Sequence, residues 1–178
     1  MTGPGTQFGD ALFELCAADG SDGEVLQQLA GVQALFAENP AYPRLLDAPN
    51  VTRAQRLALV NEAFAGKVAP YLLNTLRLLC ERAQASQLPQ AAARYRTRYN
   101  KAHGIIEVRA FTAQPLNEAL QQKLSARLAA LTGKQVLLAV QTDPALLGGI
   151  RLEMEGKEFD GTVRRRLDTL RRELLRAN

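Results

Sequence analysis

Tryptophan is absent from these 178 residues, histidine occurs once, and cysteine occurs twice. A structural zinc site needs about four nitrogen or sulfur ligands, which one histidine and the separated Cys16 and Cys80 cannot supply. No Cys-x-x-Cys pair exists, so two reduced thiols within apolar helical patterns are expected. Aromatics make up only 6% of the chain, which leaves a core of leucine and alanine and favours helices over sandwiches. No run approaches the ~18 apolar residues that cross a bilayer. The opening Met-Thr-Gly-Pro-Gly has neither the basic nor the apolar part of a secretory leader. The expectation is a chain that is neither secreted nor membrane-spanning by itself.

Catalytic groupings are scarce too. His103 stands at a predicted helix end, where it can satisfy terminal carbonyls, and no nucleophile or orienting acid adjoins it. Gly148-Gly149 precedes a predicted strand, whereas phosphate-binding loops put their glycines before a helix, with a Lys-Ser/Thr or GxGxxG pattern. The pair reads better as backbone geometry that only glycine tolerates. Glu153, Glu155, Glu158 and Asp160 cluster without the spacing of a calcium loop. Neither a cofactor nor a metal is expected.

Charge is unevenly spread. Residues 1–50 hold seven acids and one base, Arg44, while the last 17 residues hold six arginines against Asp168 and Glu173. A basic end suits nucleic acid, anionic lipid or an acidic protein, or it is simply a solvated helix face.

The first hundred residues follow helical spacing. Helices are predicted at Phe8–Ala17, Glu24–Glu38, Thr52–Phe64, Pro70–Ala83 and Pro89–His103, with a short turn around Pro43–Leu46. The period then changes to two. Ile106, Val108 and Ala110 alternate with Glu107 and Arg109, Asn117 caps a leucine-rich helix ended by Gly133, and Val136–Thr142, Ile150–Met154 and Lys157–Phe159 read as strands. Thr162–Arg176 reads as a last helix. The fold class expected is mainly α: an N-terminal six-helix bundle over residues 1–104, then a small α+β domain over 105–178 whose sheet packs with two helices.

Two helices carry more apolar surface than one core contact uses. Phe13 and Ala17 lie on a separate face from the Phe8/Ala11/Leu12/Leu15/Cys16 stripe, and Tyr71 and Leu78 lie together, away from Leu72, Leu76 and Leu79. Such a face is either buried against a third helix or forms a groove for an amphipathic helix from another protein. In the last helix, Val163, Leu167, Leu170 and Leu174 make one seam that can dock on the sheet. Arg165, Arg172 and Arg176 face roughly the other way, and Arg164 and Arg171 flank the seam. Guanidinium groups suit bidentate pairing with carboxylates.

Several motifs are shared with a known family. Thr142-Asp143-Pro144 through Gly148-Gly149-Ile150, then Gly156 through Asp160-Gly161-Thr162-Val163-Arg164, then Leu167 through Leu174, resembles the C-terminal signature of the delta subunit family of F-type ATP synthase. Its mitochondrial members are the oligomycin-sensitivity-conferring proteins. Thr112–Leu116, Leu76–Arg82 (LRLLCER), Asn39-Pro40 with Leu45–Pro49, and Phe8–Leu15 extend the resemblance over nearly the whole chain. At Ala83-Gln84-Ala85 the sequence departs from the Gly-Arg common in the family, which leaves the end of that helix open.

The resemblance implies a non-catalytic stator. Its N-terminal bundle would bind the N-terminal helices of the alpha subunits, with an alpha helix against Phe13, Ala17, Tyr71 and Leu78. Its C-terminal part would bind the b subunits of the peripheral stalk, and there the arginines are the candidates. Asp143, Pro144, Gly148, Gly149, Asp160 and Gly161 would form the structural motif. One copy per proton-translocating synthase is implied, peripheral at the cytoplasmic face of the cell membrane and membrane-associated only through the complex. The competing reading is a nucleic-acid-binding module using the basic terminal helix. Against it, RNA-reading sheets usually show exposed aromatics, and here Phe111 stands among Glu and Arg.

Overall fold

A computed structural model of the chain describes residues 4–163 and 165. Among them are seven α-helices, one 3-10 turn and four strands, so the protein is mostly helical with a small sheet near its C-terminal end. It divides into two compact units, Met1–Asn100 and Lys101–Asn178.

The first unit contains α1 (Pro4–Asp19), α2 (Asp22–Glu38), α3 (Ala41–Asp47), α4 (Arg53–Phe64), α5 (Pro70–Glu81), a 3-10 turn (Ala85–Gln87) and most of α6 (Leu88–Ala102). Local chemistry sets several ends. Thr52 and Gln55 form a reciprocal capping box at the start of α4. Pro70 opens α5, where a missing N–H is no loss. The turn predicted at Pro43–Leu46 is instead helical, as α3. Pro40 stands at its N-cap and Pro43 in its first turn, positions where proline does not break a helix. The core includes Leu12, Cys16, Val25, Leu29, Leu46, Val60, Leu72, Leu76, Leu79 and Tyr95, all nearly inaccessible. Both cysteines are free and buried. Burial pushes the Cys80 thiol up to about 12, helped by the nearby Asp47 charge and opposed by Arg56.

The second unit contains β1 (Ile105–Thr112), α7 (Glu118–Thr132), β2 (Gln135–Thr142), β3 (Ile150–Met154) and β4 (Lys157–Asp160). The strand order is β2-β1-β3-β4. The pair β1/β2 is parallel and joined through α7, while β1/β3 and β3/β4 are antiparallel. Asn117 accepts from the Leu120 N–H at the start of α7, and Gly133 ends the helix in the left-handed conformation. Ile106 and Val108 of β1 pack with Leu128, and Leu124, Val136, Leu138, Leu152 and Met154 add partly buried contacts. The predicted helix Thr162–Arg176 lies outside the described residues apart from its first few positions.

Candidate protein-docking surfaces

In the first unit, the phase of α1 decides which apolar side chains are available. At Gly9, α6 comes so close that an added Cβ would overlap the Ala91 carbonyl oxygen, and at Gly5 it would meet the side chain and backbone of the same segment. That close approach turns the face of Gly5, Gly9, Leu12, Phe13 and Cys16 inward. Phe13 is only 7% exposed, with its ring edge-on to Tyr95 at 5.6 Å. Phe13 is therefore a core residue rather than part of an open second face. The outward apolar face is the other side of the stripe, where Ala11 is exposed, Leu15 is 50% exposed and Phe8 is half-buried.

Helix α5 lies beside this face. The Arg82 guanidinium sits 5.6 Å from the Phe8 ring centroid. The Asp19 carboxylate lies beside the Tyr71 phenol and holds it above its ordinary range. These two ties match an early residue of α1 with the end of α5, and the last residue of α1 with the start of α5. The helices are thus antiparallel neighbours. Between the ties lie Ala11 and Leu15 on α1, and Asn74 and Leu78 on α5, all exposed; Leu78 is 45% accessible. A half-apolar channel bounded by Arg82/Phe8 at one end and Asp19/Tyr71 at the other can receive the apolar stripe of one more helix. Tyr71 and Leu78 belong to it, and Ala17 is exposed near its Asp19 end. Periodicity alone missed Ala11 and Leu15, because it weighed Phe8 and Leu15 as core. The signal that could have found them is Gly9, a helical glycine best explained by another backbone passing close by.

In the second unit the motif residues meet at one place. Asp143 accepts from the Ala145 N–H at 3.0 Å and forms an Asx turn with Pro144 inside it. The Gly148 carbonyl accepts from the Val163 N–H at 3.0 Å, and the Ile150 carbonyl accepts from the Gly161 N–H at 2.9 Å. Gly149 has φ +86, and a Cβ there would lie 2.6 Å from the Gly161 oxygen and 2.8 Å from the Thr162 Cα. The paired glycines thus let two backbones touch, with no feature of a phosphate cradle. Asp160 accepts from the Thr162 N–H at 2.9 Å, and the Thr162 hydroxyl oxygen accepts from the Arg165 N–H at 3.3 Å. The Thr162 hydrogen bonds, together with Arg165 and Arg151, hold the Asp160 carboxyl below its ordinary range. The side chain of Arg165 is exposed. Arg164, Arg171, Arg172 and Arg176 lie outside the described residues.

The sheet face that carries Glu107, Arg109 and Phe111 is internally neutralised. Arg109 pairs with Glu153 at 2.7 Å and Lys134 with Glu155 at 2.6 Å, while Arg151 reaches Asp143 at 3.7 Å and Glu158 at 3.9 Å. Arg151 also covers the Phe111 ring at 4.5 Å. Paired cations and a capped aromatic ring suit nucleic acid poorly. Among the described residues no grouping of three or more His, Cys, Asp or Glu could hold a metal ion, and no helix is long and apolar enough to cross a membrane.

The family model described as ATP synthase delta (OSCP) subunit matches residues 6–174. A protein of Geobacillus sp. (strain WCH70) named ATP synthase subunit delta is 32% identical over 166 residues, covering 93% of this chain and 93% of the relative. One of Syntrophotalea carbinolica named ATP synthase subunit delta 1 is 34% identical over 160 residues, covering 89% of each. Among solved structures, a chain of the Toxoplasma gondii mitochondrial ATP synthase hexamer superposes with a TM-score of 0.76 at 21% identity, covering 98% of both chains, a likeness of fold.

Proposed function

The chain belongs to the ATP synthase delta (OSCP) subunit family, and on that premise we propose how this stator component of the F-type ATP synthase makes its two connections. The helical first unit, acting as a bundle over residues 1–104, binds the N-terminal helix of an alpha subunit in the α1/α5 channel. The observation that carries this reading is the pair of exposed leucines, Leu15 and Leu78, held between two cross-helix ties. The second unit, over residues 105–178, binds the b subunits of the peripheral stalk. Arg164, Arg165, Arg171, Arg172 and Arg176 pair there with stalk carboxylates. The subunit contributes no catalytic group. It keeps the alpha/beta head from turning with the rotor, and it reaches the cytoplasmic face of the membrane through the complex.

Leu78→Asp tests the first connection. The side chain is exposed, so the variant keeps its fold, yet a charge in an apolar channel should cost about 2 kcal/mol of binding to an alpha N-terminal peptide, roughly thirtyfold in Kd. Isothermal titration with that peptide reads the effect. An unchanged Kd in a variant with wild-type circular dichroism would sink the channel assignment.

A further inference from the structure

The first unit has a second concavity, a trough of about 860 Å³ built from α2, α3, the 3-10 turn and the start of α6. None of its residues takes part in the α1/α5 channel. Ala34, Phe36 and Ala37 line one side, and Pro40, Pro43 and Pro89 contribute the rest of the apolar wall. The size falls within the range of small-molecule sites, about 300–1,000 Å³. Three prolines fix the backbone around it, and Phe36 is held from behind by the Tyr42 and Phe64 rings at 5.8 and 6.4 Å. The trough is therefore preformed and loses little freedom when filled.

Its polar groups are few and unequal. Asp47 is engaged, with one carboxylate oxygen accepting from the Ala85 N–H at 2.6 Å and the other from the Ser86 N–H at 2.9 Å. Arg44, at the last turn of α3, is exposed and has no hydrogen-bond or ion-pair partner among the described residues. It is also the single base among the first fifty residues, set against seven acids. An apolar trough thus carries one available cation, a guanidinium whose fork matches a carboxylate. Asp47 and the acidic surroundings repel a doubly charged head group more strongly than a singly charged one, and the single guanidinium of Arg44 balances only one negative charge.

We propose that this trough binds an amphiphilic monocarboxylate of the fatty-acid type, with its chain along Ala34, Phe36, Ala37 and the prolines and its carboxylate on Arg44. The test uses the full chain, isotope-labelled and titrated with dodecanoate below its micelle concentration, and follows amide shifts by NMR. Parallel titrations use dodecyltrimethylammonium and dodecyl phosphate. Saturable shifts at Ala34, Ala37, Arg44 and Ser86 are expected. Arg44→Gln should weaken dodecanoate about tenfold, the order of one charge-assisted pair. Ala37→Trp, which fills the trough from an exposed helix position, should abolish saturation. Equal affinity in Arg44→Gln, or equal binding of the ammonium amphiphile, would overturn the proposal and leave an apolar trough without anion recognition. Absence of saturable shifts, or shifts confined to the α1/α5 channel, would overturn it as well.

Discussion

Leu15 and Phe13 stand two residues apart on one helix and answer to different forces. Phe13 packs edge-on to Tyr95, with Arg98 5.7 Å from its ring centroid, in a closed core. Phe13→Ala should therefore cost about 3–5 kcal/mol of stability, the range for truncating a buried aromatic. Leu15→Ala removes a half-exposed side chain and should leave stability within about 0.5 kcal/mol while weakening alpha-peptide binding. Urea denaturation and peptide titration of both variants separate the two roles; a stability loss at Leu15 matching that at Phe13 would contradict this helix phase. Asp160 makes a second residue-scale prediction. Its folded pKa is lowered from the ordinary 3.8, first by the Thr162 hydrogen bonds and then by Arg165 and Arg151. A lowered carboxyl stabilises the fold above its unfolded pKa, and that contribution is lost as pH falls through the folded value. Wild type should thus lose more stability than Asp160→Asn between pH 6 and pH 3. Urea midpoints at the two pH values check it; parallel falls in both proteins would remove Asp160 as the source.

At the scale of elements, α5 ends in a way that departs from the simplest chemistry. The Gln84 N–H donates to the Leu79 carbonyl at 2.8 Å and the Ala83 N–H to the Cys80 carbonyl at 3.0 Å, the bond pattern of a Schellman cap. The residue at its left-handed position is Ala83, with φ +51, where glycine is the usual occupant. A non-glycine residue pays about 1–2 kcal/mol there, and glycine loses about 0.5–1 kcal/mol of unfolded-chain entropy in exchange. Ala83→Gly should raise stability by roughly 0.5–1 kcal/mol, seen as a Tm increase of about 1–4 °C. A lower Tm would mean that the Ala83 methyl has packing of its own. The departure at 83–85 was legible in the sequence as an unusual helix end; its geometry was not, because a backbone angle leaves no hydrophobic pattern. The strand β1 was fully legible, since a sheet buried on one side imposes strict alternation, and Ile106, Val108, Ala110 and Thr112 are its buried residues. Helix α3 was hidden by Pro40 and Pro43, which read as breakers but occupy a tolerant first turn. The inward face of α1 was hidden because Gly5 and Gly9 mark a close backbone approach rather than apolar burial. Strand order depends on pairings distant in the chain, which local spacing does not encode.

At the scale of the whole molecule, the two units differ in how much core each owns. The first encloses a continuous cluster that runs from Leu12 to Tyr95. Among the described residues, the second buries Ile106, Val108 and Leu128 in its main cluster. Leu131 and Leu147 stand 83% and 77% exposed there, and Leu137 and Phe159 about half exposed. Opening free energies follow buried apolar contact, so the units should differ in local stability. On the connections proposed above, a second unit that is marginal alone would gain order when the stalk binds, because a partner that binds only the folded form stabilises it by mass action. Native-state hydrogen exchange on the full chain should therefore show amides of Ile150–Met154 and Lys157–Asp160 exchanging well before those of Leu72–Cys80. Adding the C-terminal segment of a b subunit should slow the former and leave the latter unchanged. Equal protection in both units before the segment is added would refute the marginal second unit. Slowing confined to α5 on its addition would move the stalk contact out of residues 105–178.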